Sequence, residues 1–154
     1  MEIKLLCVSK TTDKRILELF QEYVKRLGHY VAFNVEYIEL KQKKTAAKKI
    51  VEEEGKLILN TLNKGTILVL LDEKGKSHSS KSFAIFLQKQ MNSGIKQLTF
   101  VIGGAFGFSD AIYDRANHKV ALSSMTFTHQ MVRLFFIEQL YRGFTILKGE
   151  KYHH

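Results

Sequence analysis

Hydrophobic positions along this chain follow two rhythms that take turns from one end to the other. Ile3–Val8 (IKLLCV), Thr66–Leu71 (TILVLL), Gln97–Ile102 (QLTFVI) and Lys119–Leu122 are short and mostly apolar, which predicts buried strands. Val31–Leu40 alternates at Phe33, Val35 and Tyr37 before Ile38 and Leu40, which predicts a strand with one face partly wet. Between these runs the spacing turns helical. Ile16, Leu17, Leu19, Phe20, Tyr23, Val24 and Leu27 form one amphipathic stripe, with N-cap candidates from Ser9 to Asp13 before it and Gly28 as its stop. Thr45 opens a second helix to about Asn63, although Gly55 inside it costs about 1 kcal/mol relative to alanine. Ser80 or Ser82 caps a third, through Phe83, Ile85, Phe86 and Met91, ended by Asn92-Ser93-Gly94. Ser109 or Asp110 opens a short fourth to about Ala116. Thr126 or Thr128 caps a long last helix to Arg142, with Gly143 as its stop.

Strand and helix alternate throughout, which predicts an α/β fold with a mostly parallel sheet flanked by helices. Residues 1–154 read as one domain, without repeats or linkers. Ligands in such sheets lie beyond the carboxyl ends of the strands. The segments beginning at Asp72, Gly103 and Ser123 occupy that position, and they are where chemistry is expected.

Charge narrows the class of partner. The chain holds 24 Lys and Arg against 15 Asp and Glu, a formal net charge of +9, so a polyanion is expected: nucleic acid or an anionic membrane surface. The run Lys41-Gln42-Lys43-Lys44 is either a solvated loop or a phosphate contact. Cys7 is the only cysteine, so no internal disulfide forms, and its apolar neighbours predict a buried, inert thiol. No apolar run reaches the roughly 18 residues of a membrane span, and MEIKLLCVSK does not read as a signal peptide. A cytoplasmic protein with no membrane partner is the expectation.

The glycine turn Gly103-Gly104-Ala105-Phe106-Gly107 follows a strand and precedes a helix, as a nucleotide loop must. Its spacing is GGxxG, which supports neither a dinucleotide fingerprint nor a Walker loop. Its glycines let the backbone approach a flat ligand, or simply make a tight turn. The Leu122–Phe127 loop offers backbone groups and hydroxyls to an adenine edge, while Thr126 and Thr128 also serve as caps. His129 stands in the first turn of the last helix, where it is either structural or able to accept a proton. Arg133 and Arg142 are nine residues apart, hence on opposite faces, so one is free for a ligand and the other for a phosphate, a subunit contact or the helix dipole. Tyr152-His153-His154 is a frayed end or a tail that folds over a site. His29, His78 and His118 are scattered singly, and no metal-ligand spacing or serine-nucleophile signature is present.

Several of these segments are similar to motifs of the RlmH (YbeA) family, ribosomal RNA large-subunit pseudouridine N3-methyltransferases of the SPOUT superfamily. They are LLDEKGK (Leu70–Lys76) with Ser80 and Phe83-Ala84, VIGGAFGF (Val101–Phe108), LSSMTFTHQMVRLFFIEQLYRGFTI (Leu122–Ile146) and the terminal YHH. The resemblance covers the full length. It implies a C-terminal part threaded as a trefoil knot, S-adenosyl-L-methionine bound in that knot, and a homodimer. Carried over by position, Leu71, Gly103, Leu122, Ser123, Ser124, Met125, Thr126 and Phe127 would contact the cofactor. His129, Arg142, Tyr152 and His153 match positions tied to catalysis or RNA placement. Thr128 departs from the family's usual proline before the motif histidine; it can cap the helix instead.

The implied reaction transfers a methyl group to N3 of a pseudouridine in large-subunit RNA of assembled ribosomes. The imide proton must leave, so a base is needed; His129 or His153 qualifies, because arginine does not deprotonate in proteins. Arg142 would stabilise charge on the base or hold a phosphate. Another RNA such as tRNA, or an RNA-binding protein that has lost catalysis, are the competing expectations.

Overall fold

The computed structural model describes residues 1–41 and 46–153. Among them, five strands form one parallel sheet: β1 (Glu2–Val8), β2 (Ala32–Ile38), β3 (Ile67–Ser77), β4 (Gln97–Ile102) and β5 (His118–Ala121). Their order across the sheet is β2-β1-β4-β3-β5, every pairing parallel. The helices are α1 (Lys14–Leu27), α2 (Ala47–Thr61), α3 (Ser80–Asn92), α4 (Asp110–Arg115) and α5 (His129–Leu147). This is the expected α/β architecture, with helices on both faces.

The strand alternation sorts the core into two layers. Ile3, Leu5, Cys7, Val69, Leu98, Phe100 and Ile102 point to α1, α3 and α5, where they meet Phe20, Leu27, Phe83, Leu87, Phe136, Ile137, Leu140 and Phe144. Leu6, Val8, Leu68, Leu70 and Val101 point the other way, to Ile58 of α2 and Ile112 of α4. Phe100 and Phe136 meet with tilted rings, 4.8 Å between centroids, at the aromatic centre of the larger layer. Cys7 is fully buried there, and burial pushes its thiol up to about 12, which keeps it protonated and inert.

Four boundaries differ from expectation. Strand β3 does not end at Leu71. Its register with β5 jumps from Leu71↔Val120 to Lys76↔Val120 and Ser77↔Ala121. The intervening segment lies so close to β5 that a Cβ on Gly75 would fall 2.6 Å from the Lys119 carbonyl carbon and the Val120 nitrogen. Only glycine fits there. Helix α5 does not stop at Gly143 but runs on to Leu147. Gly143 is buried at the crossing with α3, where a Cβ would meet Leu87 Cδ1 at 2.8 Å, so this glycine serves close helix packing rather than termination. The α3 cap is Ser79, whose side chain accepts from the Ser82 nitrogen, and neither Ser80 nor Ser82. Helix α2 begins after Ala46, and the predicted opener Thr45 lies outside the described residues, as do Gln42, Lys43 and Lys44 of the basic run and the terminal His154. No helix among the described residues is long and apolar enough to cross a membrane.

Candidate active site

The middle of β3, where its register with β5 jumps, and the connections after β4 and β5 meet around one cleft of about 620 Å³. Its walls include Leu71–Lys74, Ile102–Phe108, Leu122, Ser123 and Met125–Phe127, with His129 and Val132 from the start of α5. Ten of the twelve residues singled out from the sequence therefore divide cleanly. Leu71, Gly103, Leu122, Ser123, Met125, Thr126, Phe127 and His129 line the cleft; Arg142 and Tyr152 do not. Of the remaining two, Ser124 is exposed and not among the cleft's walls, and His153 lies with the tail.

Each loop is held by its own chemistry. Asp72 accepts the Lys74 nitrogen at 2.8 Å and the Tyr113 hydroxyl, tying the β3 connection to α4. Burial and that bond together push the Tyr113 phenol up to about 12, so it remains a donor. The glycine turn closes through Gly107 N to Gly104 O at 3.2 Å, with Gly107 at φ 80°, a conformation glycine adopts without strain. A Cβ on Gly103 would sit 3.0 Å from the Phe108 ring. Across the cleft, Thr126 Oγ1 donates to Glu73 Oε2 at 3.0 Å and bridges the β3 and β5 connections.

The 123–127 segment is the most open part. Met125 N donates to Ser123 Oγ at 2.9 Å, yet among the described residues no backbone–backbone hydrogen bond of a turn or loop involves residues 123–127. Backbone groups left that way seek a partner in water or in a ligand. Met125 is 73% exposed and Phe106 57% exposed at the mouth, an apolar rim over polar backbone. The other amides and the carbonyls of this segment, with the apolar Leu71, Ile102, Val120 and Leu122 also lining the cleft, suit the edge and face of a flat heterocycle.

Thr128 is the cap of α5. Its side chain accepts from Met131 N at 3.2 Å, and its φ of −63° is the angle a proline would impose. Thr128 thus keeps a proline-like φ at the entry to His129 and adds a side-chain cap. His129 is exposed at the cleft edge.

Arg133 is not a ligand residue. It is 1% exposed; it donates to the carbonyls of Val8 and Ser9 and to Thr11 Oγ1, each at 2.9 Å, and lies over the Tyr37 ring at 5.8 Å. It anchors the β1–α1 connection to α5, helped by Gln130, whose Oε1 accepts Thr12 N at 3.0 Å and Asp13 N at 3.3 Å. The role as a ligand or phosphate contact considered for one of the two arginines falls away for Arg133. His78 and His118 are not scattered either. They flank Phe86, with ring centroids 5.8 Å and 5.2 Å away, and burial lowers the proton affinity of both.

Arg142 sits thirteen residues beyond His129 on α5, about 20 Å along the axis. There it pairs with Glu138 at 2.6 Å and stacks over Tyr152 at 4.6 Å. Within one protomer the candidate catalytic residues therefore form two groups, one at each end of the same helix. Glu138 carried no signal in the sequence beyond its four-residue offset from Arg142.

A parallel α/β sheet with a cleft at the carboxyl side of its strands, glycine-turned on one side and rich in open backbone on the other, is where such folds bind small ligands. A family model described as "Predicted SPOUT methyltransferase" matches residues 1–153, and the chain belongs to that family. Among curated relatives it is similar to a protein of Flavobacterium johnsoniae named Ribosomal RNA large subunit methyltransferase H, 54% identical over 100% of this chain and 99% of the relative. Proteins of the same name from Flavobacterium psychrophilum and Cytophaga hutchinsonii are 54% and 51% identical, over 100% of this chain and 99% and 100% of their own lengths.

Proposed function

We propose that this protein methylates large-subunit ribosomal RNA, using S-adenosyl-L-methionine, at N3 of a pseudouridine in the assembled ribosome. The observation that carries the reading is the convergence of the bend within β3 and the connections after β4 and β5 on one cleft, in a chain that relatives named for rRNA methylation match end to end. Leu71, Gly103, Leu122, Ser123, Met125, Thr126 and Phe127 would hold the cofactor, with Ser124 in the same loop. Bound there, it supplies a methyl group already activated on a sulfonium. The free backbone of 123–127 recognises an adenine edge, and the apolar floor excludes water. His129, at the cleft edge, or His153 removes the imide proton as the nitrogen attacks, and Arg142 faces the RNA. The basic surface grips the backbone without reading sequence.

The active unit in this reading is a homodimer. The 20 Å along α5 that separates His129 from Arg142 and Tyr152 supports a site completed by the tail of a second copy. The double grip of β3 on β5 supports the knotted thread of the C-terminal third that the family implies. Labelled methyl transfer to three acceptors tests the function: ribosomes lacking the modification, protein-free ribosomal RNA, and tRNA. Label only in ribosomes, at a pseudouridine, is the expected result. Label in tRNA keeps the chemistry and replaces the target; no label with cofactor still bound overturns the enzymatic reading.

A further inference from the structure

The tail and Arg142 are organised by one carboxylate. Glu138 lies one turn before Arg142 on α5. Its Oε1 accepts from Arg142 Nη2 at 2.6 Å, from Arg142 Nε at 3.1 Å and from the Tyr152 hydroxyl at 3.0 Å. Its Oε2 accepts from Gln139 Nε2 at 2.7 Å. The Arg142 guanidinium covers one face of the Tyr152 ring, and Tyr141 meets that ring edge-on at 4.8 Å. The chain returns to this spot through Gly149 at φ 68°, with Glu150 N bonded to Thr145 O at 3.0 Å and Tyr30 donating to Glu150 Oε2 at 2.6 Å.

A phenol has one proton to give. Tyr152 gives its proton to Glu138, so in the Tyr23–Tyr152 contact of 3.2 Å the donor is Tyr23. The bonds run in one direction: Tyr23 to Tyr152 to Glu138. Burial first, and then these two bonds, raise the Tyr152 phenol well above the ordinary tyrosine range, while the bond to Glu138 raises the already basic Arg142. Both side chains therefore stay protonated. The neighbouring His153 differs: its Nδ1 is covered and has no hydrogen-bond partner among the described residues.

We propose that Glu138 is the positioning residue of the C-terminal tail. It locks Arg142 and Tyr152 into one unit and makes Tyr152 the anchor that holds the tail, His153 included, against α5. Its activity arm rests on the methyl-transfer reading above; its structural arm does not. The alternative is an ordinary i,i+4 surface pair with no consequence for the tail.

The test uses the full-length chain carrying Glu138→Gln, Tyr152→Phe, and both. Three quantities are read: kcat and KM for transfer to ribosomes, S-adenosylmethionine affinity by calorimetry, and hydrogen exchange of residues 148–153. Each single change should lower kcat by about tenfold to a hundredfold through misplacement of the tail, with cofactor affinity unchanged. The double variant should be no worse than the weaker single, because both changes break one network. Exchange of the tail should quicken in Glu138→Gln. Additive losses, unaltered tail exchange, or a parallel fall in cofactor affinity would each overturn the proposal. Tyr23→Phe removes only the far donor and carries the same test if Glu138→Gln does not accumulate as folded protein. If the unaltered protein methylates no acceptor, the functional reading has failed, and tail exchange still decides this one.

Discussion

The two ends of α5 present opposite chemistry. At the amino end, His129 faces a cleft whose 123–127 backbone is left open and whose rim is exposed. At the carboxyl end, both oxygens of Glu138 are engaged, Arg142 is paired and stacked, and Tyr152 is bonded on both sides. An open end suits a partner that arrives and leaves. A saturated end is a tool finished before any partner arrives. The lesson is that proximity in sequence does not make one site: a 19-residue helix holds the two groups apart as a rod would.

The sharpest break in this contrast is at the open end. His129→Ala should lower methyl transfer by about a hundredfold or more while sparing cofactor binding, if His129 is the base. Steady-state transfer beside calorimetry checks it, and an unchanged kcat would pass the role to His153. Mixing comes next. Equal amounts of inactive His129→Ala and inactive His153→Ala chains, unfolded and refolded together, should recover about a quarter of the native rate if each site draws on two protomers. No recovery would mean that each protomer uses its own tail. Gly75→Ala should follow, destabilising the fold by about 1–3 kcal/mol and weakening the cleft, because its Cβ meets β5 backbone and not a movable side chain. Urea titration with and without cofactor reads both effects. The smallest effect lies outside both ends. Burial lowers the proton affinity of His118, so its stabilising contribution is full above the ordinary histidine value of 6.5 and is lost as pH falls through the depressed folded value. His118→Gln should therefore flatten, slightly, the fall of thermal midpoint between pH 7.5 and 5.

Much of the frame was legible because it is local. Buried strands such as Gln97–Ile102 are apolar in themselves, and the cleft segments after β4 and β5 follow from strand order alone. What escaped depends on distant neighbours. Asp72–Ser77 reads as a polar loop, and only its pairing with β5 makes part of it strand. Gly143 looks like a stop until Leu87 of α3 is seen against it. Arg133 looks like a free cation until the carbonyls of Val8 and Ser9, more than a hundred residues away in sequence, surround it. Within the site, the segments that line the cleft were legible, while the separation of His129 from Arg142 needed only the helical rise. Glu138 was missed because a carboxylate four residues from an arginine is commonplace; the tyrosine that completes the network comes from the chain's end.

Strand β5 is gripped twice by the same earlier strand, at Val69–Leu71 and again at Lys76-Ser77, with Gly75 pressed on its backbone. That arrangement predicts an order in time. The bend after Leu71 closes on β5 only through pairings distant in sequence, which are expected to form late. The walls of the cleft come from those same late pieces. After dilution from denaturant, helix signal should return first and cofactor binding should lag behind it; simultaneous recovery would show that the grip does not govern the order of assembly.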